Sequence, residues 1–535
     1  MKYLKTAVIA VILLAGLSCN NPAGHTYYVS AAAGNDANDG LSPEKAWKSL
    51  DKVNVQHFAA GDRILFQSGS VWHGQLRPQG SGTEGAPVCI DRYGEGALPK
   101  IDQDSLPGAV LLLENQEYWE INHLELTASM SQPGERKVGG IHVIATTADH
   151  VLKHIVIRNC VLHHLTGIMK MYEHSAIWVG VPGYSSSSDE ESVNVNEEGH
   201  RPHFATSFDE VLIENNRIYE ADRCGILVWT SAGPGRASIF LPGLIPSRNV
   251  VIRGNLLEDI GGDGILVLGS DRPLVERNTV RRCCKKAGDP ACFEEDFWAP
   301  CAAAVWFHHC LNGVIQYNAV YDCARLPYNL DGMAYDFDYN CDGCILQYNY
   351  SRNNAGGFLL LMNTAVDNII RYNISENDRT HILFLIGAVE ENNRIYNNTF
   401  YVDSDTTCII PRAHIENNIF MATGTGKIEI RNWSHPKYTP WSPELGVMRN
   451  NCYAGNCSYP FDSLQIAADP LFANPGNGGG NVENLACYAI SADSPCRKKG
   501  LVFPSNGAQD ILGNPIPPDT PPDIGAIQSS IFKKE

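Results

Sequence analysis

Basic charge is scarce in this 535-residue sequence: 41 Lys and Arg stand against 59 Asp and Glu, for a formal net charge of −18. Nucleic acid and anionic membrane surfaces both need basic patches, so both are disfavoured as partners. Long apolar runs are scarce as well. Residues 6–16 form one that is too short for a bilayer span, which needs about 20 residues. Placed behind Lys2 and Lys5, this run reads as the apolar part of an export signal. Charged residues make up only 19% and hydrophobic ones 44%, so a large core can be buried and wholesale disorder is excluded. Gly 48 and Pro 30 fit a turn-rich, mostly β chain.

The signal run ends at Gly16-Leu17-Ser18-Cys19, which resembles a bacterial lipobox with Cys19 as the lipidated first residue of the mature chain. An ordinary signal peptide with an idle Cys19 is the alternative. Residues 1–18 are then a lipoprotein signal, 19–26 a short tether and 27–535 one domain. No acidic residue follows in Asn20-Asn21-Pro22-Ala23-Gly24, so an outer-membrane anchor facing the periplasm is expected rather than the cell surface. Export permits disulfides among the other cysteines. Eight of these lie between Cys283 and Cys344, and disulfides or cysteines stacked between successive layers are both open. Zinc at Cys341-Asp342-Gly343-Cys344 lacks a second Cys or His pair at finger-like spacing.

A short pattern recurs: apolar residues, two polar ones, then Asn and another apolar residue. It ends at Asn159, Asn216, Asn255, Asn278, Asn318, Asn349, Asn373, Asn398, Asn418 and Asn451. The shorter intervals of 23, 24, 25 and 20 residues match one coil of a parallel β-helix, and those of 39 and 40 imply insertions at turns. Each coil would supply short strands whose alternate side chains enter a shared core. Asn would mark the bend, since it tolerates the left-handed conformation and its amide can bond turn backbone. Stacked asparagines at Asn216, Asn255, Asn278, Asn318, Asn349 and Asn373 are expected inside the solenoid. A leucine-rich repeat lacks its leucine spacing here, and a β-propeller, which needs units of about 40–50 residues with regular hairpin turns, fits less well.

Tyr27-Tyr28-Val29-Ser30, Gly34-Asn35-Asp36, Asp39-Gly40-Leu41-Ser42-Pro43, Ala46-Trp47 and Gly61-Asp62 resemble the opening module of bacterial pectate-lyase-like β-helix proteins. Ser494-Pro495, Asp510, Gly513-Asn514-Pro515 and Asp523-Ile524-Gly525-Ala526 resemble their closing coil. The resemblance implies one all-β, right-handed parallel β-helix from 27 to 535. It is specific for fold and weak for reaction, because that superfamily holds lyases, hydrolases, epimerases and adhesins. A helix over 46–53, its start marked by Ser42-Pro43, would plug the first coil. Polar insertions over 181–207 and 285–300, the second with Phe293 and Trp298, would rise beside a groove.

Chemistry concentrates in Asn329-Leu330-Asp331-Gly332-Met333-Ala334-Tyr335-Asp336-Phe337-Asp338. Aligning Gly332 with Gly225 and Gly264 turns Met333, Tyr335 and Phe337 inward, and Ala334, Asp336 and Asp338 outward. Two carboxylates then stand about 6–7 Å apart on one face. That lies near the roughly 6.5–9.5 Å of inverting glycosidases and above the roughly 5–5.5 Å of retaining ones. Such neighbours push their pKa values apart, leaving one acid and one base. One coil earlier, Trp306 and His308 would share the face as a sugar platform and a proton carrier. Asp331, Asp263, Trp229 and Arg325 complete the candidates, with Lys170 and Arg223 placed less securely. Asp263 and Asp331 precede glycines and have a turn reading as well. Asn329-Leu330-Asp331-Gly332 faintly resembles the Asn-Thr-Asp-Gly of polygalacturonase-like hydrolases, without that family's later Gly-His-Gly or Arg-x-Lys. An outward Asp-x-Asp also suits Ca²⁺ or mere solvation. His163-His164 and His308-His309 should chelate poorly, since adjacent strand residues point to opposite faces.

The expected activity is an exported, monomeric glycoside hydrolase acting on a polysaccharide or other glycan. Asp336, Asp338, His308 and Asp331 would be catalytic, and Trp306, Asp263, Trp229 and Arg325 would bind substrate. No metal is required, with Ca²⁺ left open. A uronate-directed lyase and a non-catalytic glycan binder are the alternatives.

Overall fold

The computed structural model describes residues 24–529 apart from 105, 131–136, 147–149, 170–173, 182–205, 231–244, 288, 290–300, 328–330, 363, 387–391, 411–412, 433–438, 441–446, 460–461 and 481. Cys19, Lys170, Cys292, Phe293, Trp298 and most of both expected insertions lie outside the described residues.

Three long parallel sheets of 15, 14 and 13 strands wind into a solenoid. One coil shows the plan. Ile345–Gln347 lies in the first sheet, Tyr350–Arg352 in the second and Gly357–Leu361 in the third, before Ile369–Arg371 re-enters the first. Alternation sends every second side chain into a continuous apolar core running from Val29 to Tyr453. In the third sheet the register aligns Gly225 with Gly264, and these in turn with Ala304 and Ala334. A Cβ on Gly264 would lie 2.4 Å from the Ala304 carbonyl oxygen, so this inward position takes only small residues.

The asparagine ladder is present. Asn216, Asn255, Asn278, Asn318, Asn349, Asn373, Asn398, Asn418 and Asn451 each pass an Nδ2–H to the next member's Oδ1, at 2.9–3.1 Å between successive asparagines. The last amide bonds Asp462 at 2.8 Å. Asn159 does not belong: Cys160 holds its coil's place, donating its backbone N–H to Asn216 Oδ1 at 3.0 Å. The left-handed residue at the bend is the one before each ladder position: Asn159, Asn215, Arg277, Tyr317, Tyr348, Tyr372, Asn397, Asn417 and Asn450. The ladder residue is therefore selected by its inward amide and not by left-handed tolerance.

Both ends differ in detail from expectation. The plugging helix is Leu50–Asn54, capped by Ser49 Oγ accepting from the Lys52 N–H at 3.1 Å, and it commits Leu50 and Val53 to the core. Pro43–Lys45 is a separate single turn of 3₁₀ helix. The C-terminal residues do not form a closing coil. They run back along the outside, packing Leu485, Tyr488, Phe503, Ile511 and Ile516 on Tyr348, Tyr350, Tyr372 and Tyr396. Tyr348 and Tyr396 donate to the carbonyls of Gly507 and Ser505, at 3.1 and 2.8 Å. The hydroxyls of Tyr348 and Tyr396 thus find their partners in the tail.

Among the described residues every cysteine is a free thiol, so stacking and not bridging is observed. The thiols of Cys341 and Cys344 donate to the carbonyls of Phe307 and Cys310, at 3.3 and 3.4 Å, inside the core. Among the described residues no group of three ligands at metal-binding distance includes them.

Candidate active site

The third sheet turns a second apolar surface outward, built by Trp178, Leu227, Trp229, Leu266, Leu268, Ala303 and Trp306. The next coil interrupts it with acid: Asp336 pairs in register with Trp306. Asp338 follows immediately after strand Met333–Phe337, with its Oδ2 3.8 Å from His308 Nε2. The outward phase of both aspartates and the closeness of Trp306 and His308 agree with the sequence. The glycine alignment does not, since Ala334, not Gly332, occupies the Gly225 and Gly264 position. The slip is two residues, which preserves the face of Asp336 and Asp338. It exchanges Met333 and Ala334, however. Ala334 packs in the core, and Met333 packs outside with Leu360, Phe384 and Ile409.

The four carboxylates sit in different surroundings. Asp263 is not a turn residue but opens strand Asp263–Leu268, fully buried. Its Oδ1 accepts from the Ala303 N–H at 3.0 Å and the Trp306 indole N–H at 2.9 Å. Its Oδ2 lies 2.8 Å from Arg223 Nη1. A Cβ on Gly262 would come within 2.9 Å of that same nitrogen, so glycine makes room for the guanidinium. Asp263 is thus enclosed with Arg223 and unavailable to a ligand. Trp306, 6% exposed with its N–H committed, braces Asp263 and offers no open ring face. Trp229 likewise lies within the apolar surface, at 5% exposure. These three corrections share one cause: on this sheet an outward side chain is covered, so outward does not mean solvent-facing.

Asp336 is 3% exposed and its Oδ1 has no hydrogen-bond partner. Burial first, then Asp338, Asp331 and Asp263, push its carboxyl well above the usual range. This favours the protonated form, which suits Asp336 poorly to the part of a base. The only group of metal-ligand character among the described residues is His73, Asp102 and Asp104, far along the second sheet's edge, where Asp102 already accepts from Ser129. Asp331 is pushed up to about 7, mainly by burial. Cys301 and Arg325 pull it down, while Asp338 and Asp263 push it up. Arg325 packs against the Gly332 turn, beside Asp331.

The sign of the Asp336 effect gives a test. A carboxyl raised in the folded state contributes its stability below the unfolded pKa of about 4 and loses it as pH climbs toward the folded value. Asp336→Asn removes this loss. The variant should therefore match or trail the wild type in Tm near about pH 4 and exceed it near about pH 8. Parallel Tm curves across that window would show that Asp336 is not held neutral.

His308 and His309 were expected on opposite faces. Instead their rings stack at 4.3 Å and their Nδ1 atoms are in hydrogen-bond contact. His163 and His164 repeat this, with Nδ1 atoms 2.6 Å apart. The cause is local: His164 and His309 both have φ +53, a left-handed kink that breaks alternation. Arg223, His309 and Asn340 are the site residues sequence reasoning missed or left loose, and only the histidine doublet signalled any of them.

A family model described as the right handed beta helix region matches residues 109–289 and 203–400. This chain belongs to that family. It is also 30% identical over 605 aligned positions to a lacto-N-biosidase from Bifidobacterium longum subsp. longum, covering 95% of this chain and 36% of that protein. The chain spans about a third of that relative's length. Among solved structures, the GH136 lacto-N-biosidase from Eubacterium ramulus superposes with TM-score 0.58 at 24% identity, covering 82% of this chain and 68% of its own. XylC in complex with xylose superposes with TM-score 0.53 at 12% identity, over 94% and 98% of the two chains. Both share this β-helix fold.

Proposed function

We propose that this β-helix protein is a glycoside hydrolase acting on an oligosaccharide glycan, of the lacto-N-biosidase kind. The observation that carries the reading is the 30% identity to a lacto-N-biosidase running through 95% of this chain. The carboxylate cluster supplies matching chemistry. Glycosidases need one carboxylic acid to protonate the leaving oxygen and one carboxylate to act as base or nucleophile. Asp331, raised to about 7, is the acid. Asp338, 17% exposed in side chain and receiving the Tyr339 N–H at 2.7 Å, is the carboxylate. Burial lifts Asp331 most, and the Asp338 and Asp263 charges lift it further. Arg325 sets the acid from the other direction. Arg325→Gln should therefore move the alkaline limb of the rate–pH profile upward, because it removes a charge that favours ionised Asp331. An unmoved limb would separate Arg325 from the acid.

The same reading includes a lipid anchor on Cys19, holding the enzyme to the outer membrane on the periplasmic side. Its support is the lipobox resemblance. Cys19→Ser should shift the protein from the membrane to the soluble periplasmic fraction, since each buried CH₂ contributes about 0.8 kcal/mol. An unchanged membrane fraction would remove Cys19 as the attachment point.

A further inference from the structure

His308 and Asp338 stand 3.8 Å apart, a distance that would be an ion pair if the imidazole were charged. It is not charged. Burial lowers His308 to about 3 and pushes His309 down as well, so both rings are neutral and each carries one N–H. Which nitrogen holds each proton then follows from their contacts. Asn340 Nδ2 lies 2.9 Å from His309 Nε2. An amide nitrogen only donates, so His309 Nε2 accepts and its proton sits on Nδ1. That N–H meets His308 Nδ1 across the short contact between the rings, so His308 Nδ1 accepts in turn. The remaining proton of His308 lies on Nε2, the nitrogen 3.8 Å from Asp338 Oδ2.

We infer that Asn340 and His309 are positioning residues that fix His308 as the Nε2–H tautomer, which marks Asp338 as the ionised member of the Asp331–Asp338 pair. The inference rests on the hydrolase reading for its consequence, but the proton order is a property of the resting protein. Its scaffold is built for the purpose. Asn340 occupies a left-handed turn at φ +57, with its backbone N–H donating to Thr364 Oγ1 at 3.0 Å. The His309 backbone N–H donates to the Tyr339 carbonyl at 2.9 Å, tying the two coils together beside Asp338. The Tyr339 N–H takes the other oxygen of Asp338. A carboxylate among three further carboxyl groups would otherwise be pressed to protonate, and two N–H dipoles oppose this. The opposite orientation of the Asn340 amide reverses every link. His309 would carry Nε2–H, His308 would carry Nδ1–H, and a bare Nε2 would face Asp338, a lone pair that disfavours the ionised carboxylate.

Imidazole nitrogen NMR on histidine-labelled protein without substrate distinguishes the two orders, with assignment by loss of signals in His308→Gln and His309→Gln. The expected result is a protonated Nε2 on His308 and a protonated Nδ1 on His309. The reverse pattern, or two charged rings, would overturn the inference even in a fully active enzyme. If this pattern is found in a protein that hydrolyses no glycan, the activity reading fails while the proton order stands. In an active enzyme, Asn340→Asp replaces the donor with an acceptor and should invert the order. It should lower kcat by about tenfold at a nearly constant KM, roughly the 1.4 kcal/mol of a reversed dipole beside the carboxylate. Wild-type kcat with inverted tautomers would show that the relay does not serve Asp338.

Discussion

Asp331→Asn and Asp338→Asn are each expected to lower kcat by at least ~10²-fold, the usual contribution of a general acid or base, without lowering Tm. Asparagine keeps the shape of each side chain and removes the titrating group. The two variants should differ in their pH dependence. Wild-type activity should fall as pH rises through about 7, where Asp331 loses the proton it must donate. That alkaline limb should vanish from the residual rate of Asp331→Asn and persist in Asp338→Asn. Asp336→Asn should retain activity within about tenfold, because a neutral carboxyl and an amide are close substitutes in a site that needs neither charge nor base there. Loss of activity in Asp336→Asn and Asp338→Asn, with Asp331→Asn still active, would return the catalytic role to the Asp336–Asp338 pair.

Asn349→Ala should cost roughly 3–5 kcal/mol of stability, read by denaturant unfolding. Asn349 Oδ1 accepts from both the backbone N–H and the amide of Asn318, and its Nδ2 serves the carbonyls of Ile315 and Gln347 as well as Asn373. Alanine leaves several of these buried groups unpaired, at about 1–3 kcal/mol each. It also cuts the ladder in mid-solenoid, where each coil is stabilised by its neighbours. Asn159→Ala makes the contrast. It loses only the left-handed tolerance of asparagine, about 1 kcal/mol, and Asn159→Gly should lose nothing. Equal losses at 349 and 159 would mean that the ladder amides are not what holds the coils.

The fold was legible because a solenoid repeats its constraints. One inward amide per coil spaced by 20 to 25 residues leaves a pattern that insertions interrupt without erasing, and Asn216 to Asn451 were found by it. Asn159 was misplaced because the left-handed residue and the ladder residue are adjacent, and runs such as Asn215-Asn216 and Asn417-Asn418 hide which is which. The tail was misread for a different reason. Its contacts with Tyr348 and Tyr396 span more than a hundred residues, and no local pattern marks a segment that docks on the outside.

The site was legible in its phase and not in its burial. Alternation placed Asp336 and Asp338 outward despite a two-residue misalignment, since the pleat has a period of two. It could not say that the outer face of the third sheet is itself covered. That covering turns Trp306 into a brace, encloses Asp263 with Arg223 and pushes the Asp336 carboxyl up. Among the catalytic candidates the proposed acid is accordingly Asp331, two residues before strand Met333–Phe337, and not Asp336. The His308-His309 contact was hidden by a backbone kink that pattern reading treats as continuous strand.

The most direct test is to incubate the purified wild type and Asp331→Asn with lacto-N-type oligosaccharides and, in parallel, with uronate polysaccharides. Reducing ends and the ultraviolet absorbance of unsaturated products are followed together. The account predicts new reducing ends from the neutral oligosaccharides, no unsaturated product, and at least ~10²-fold slower release by Asp331→Asn. Unsaturated product from the uronate substrates, or release that Asp331→Asn leaves unchanged, would contradict it.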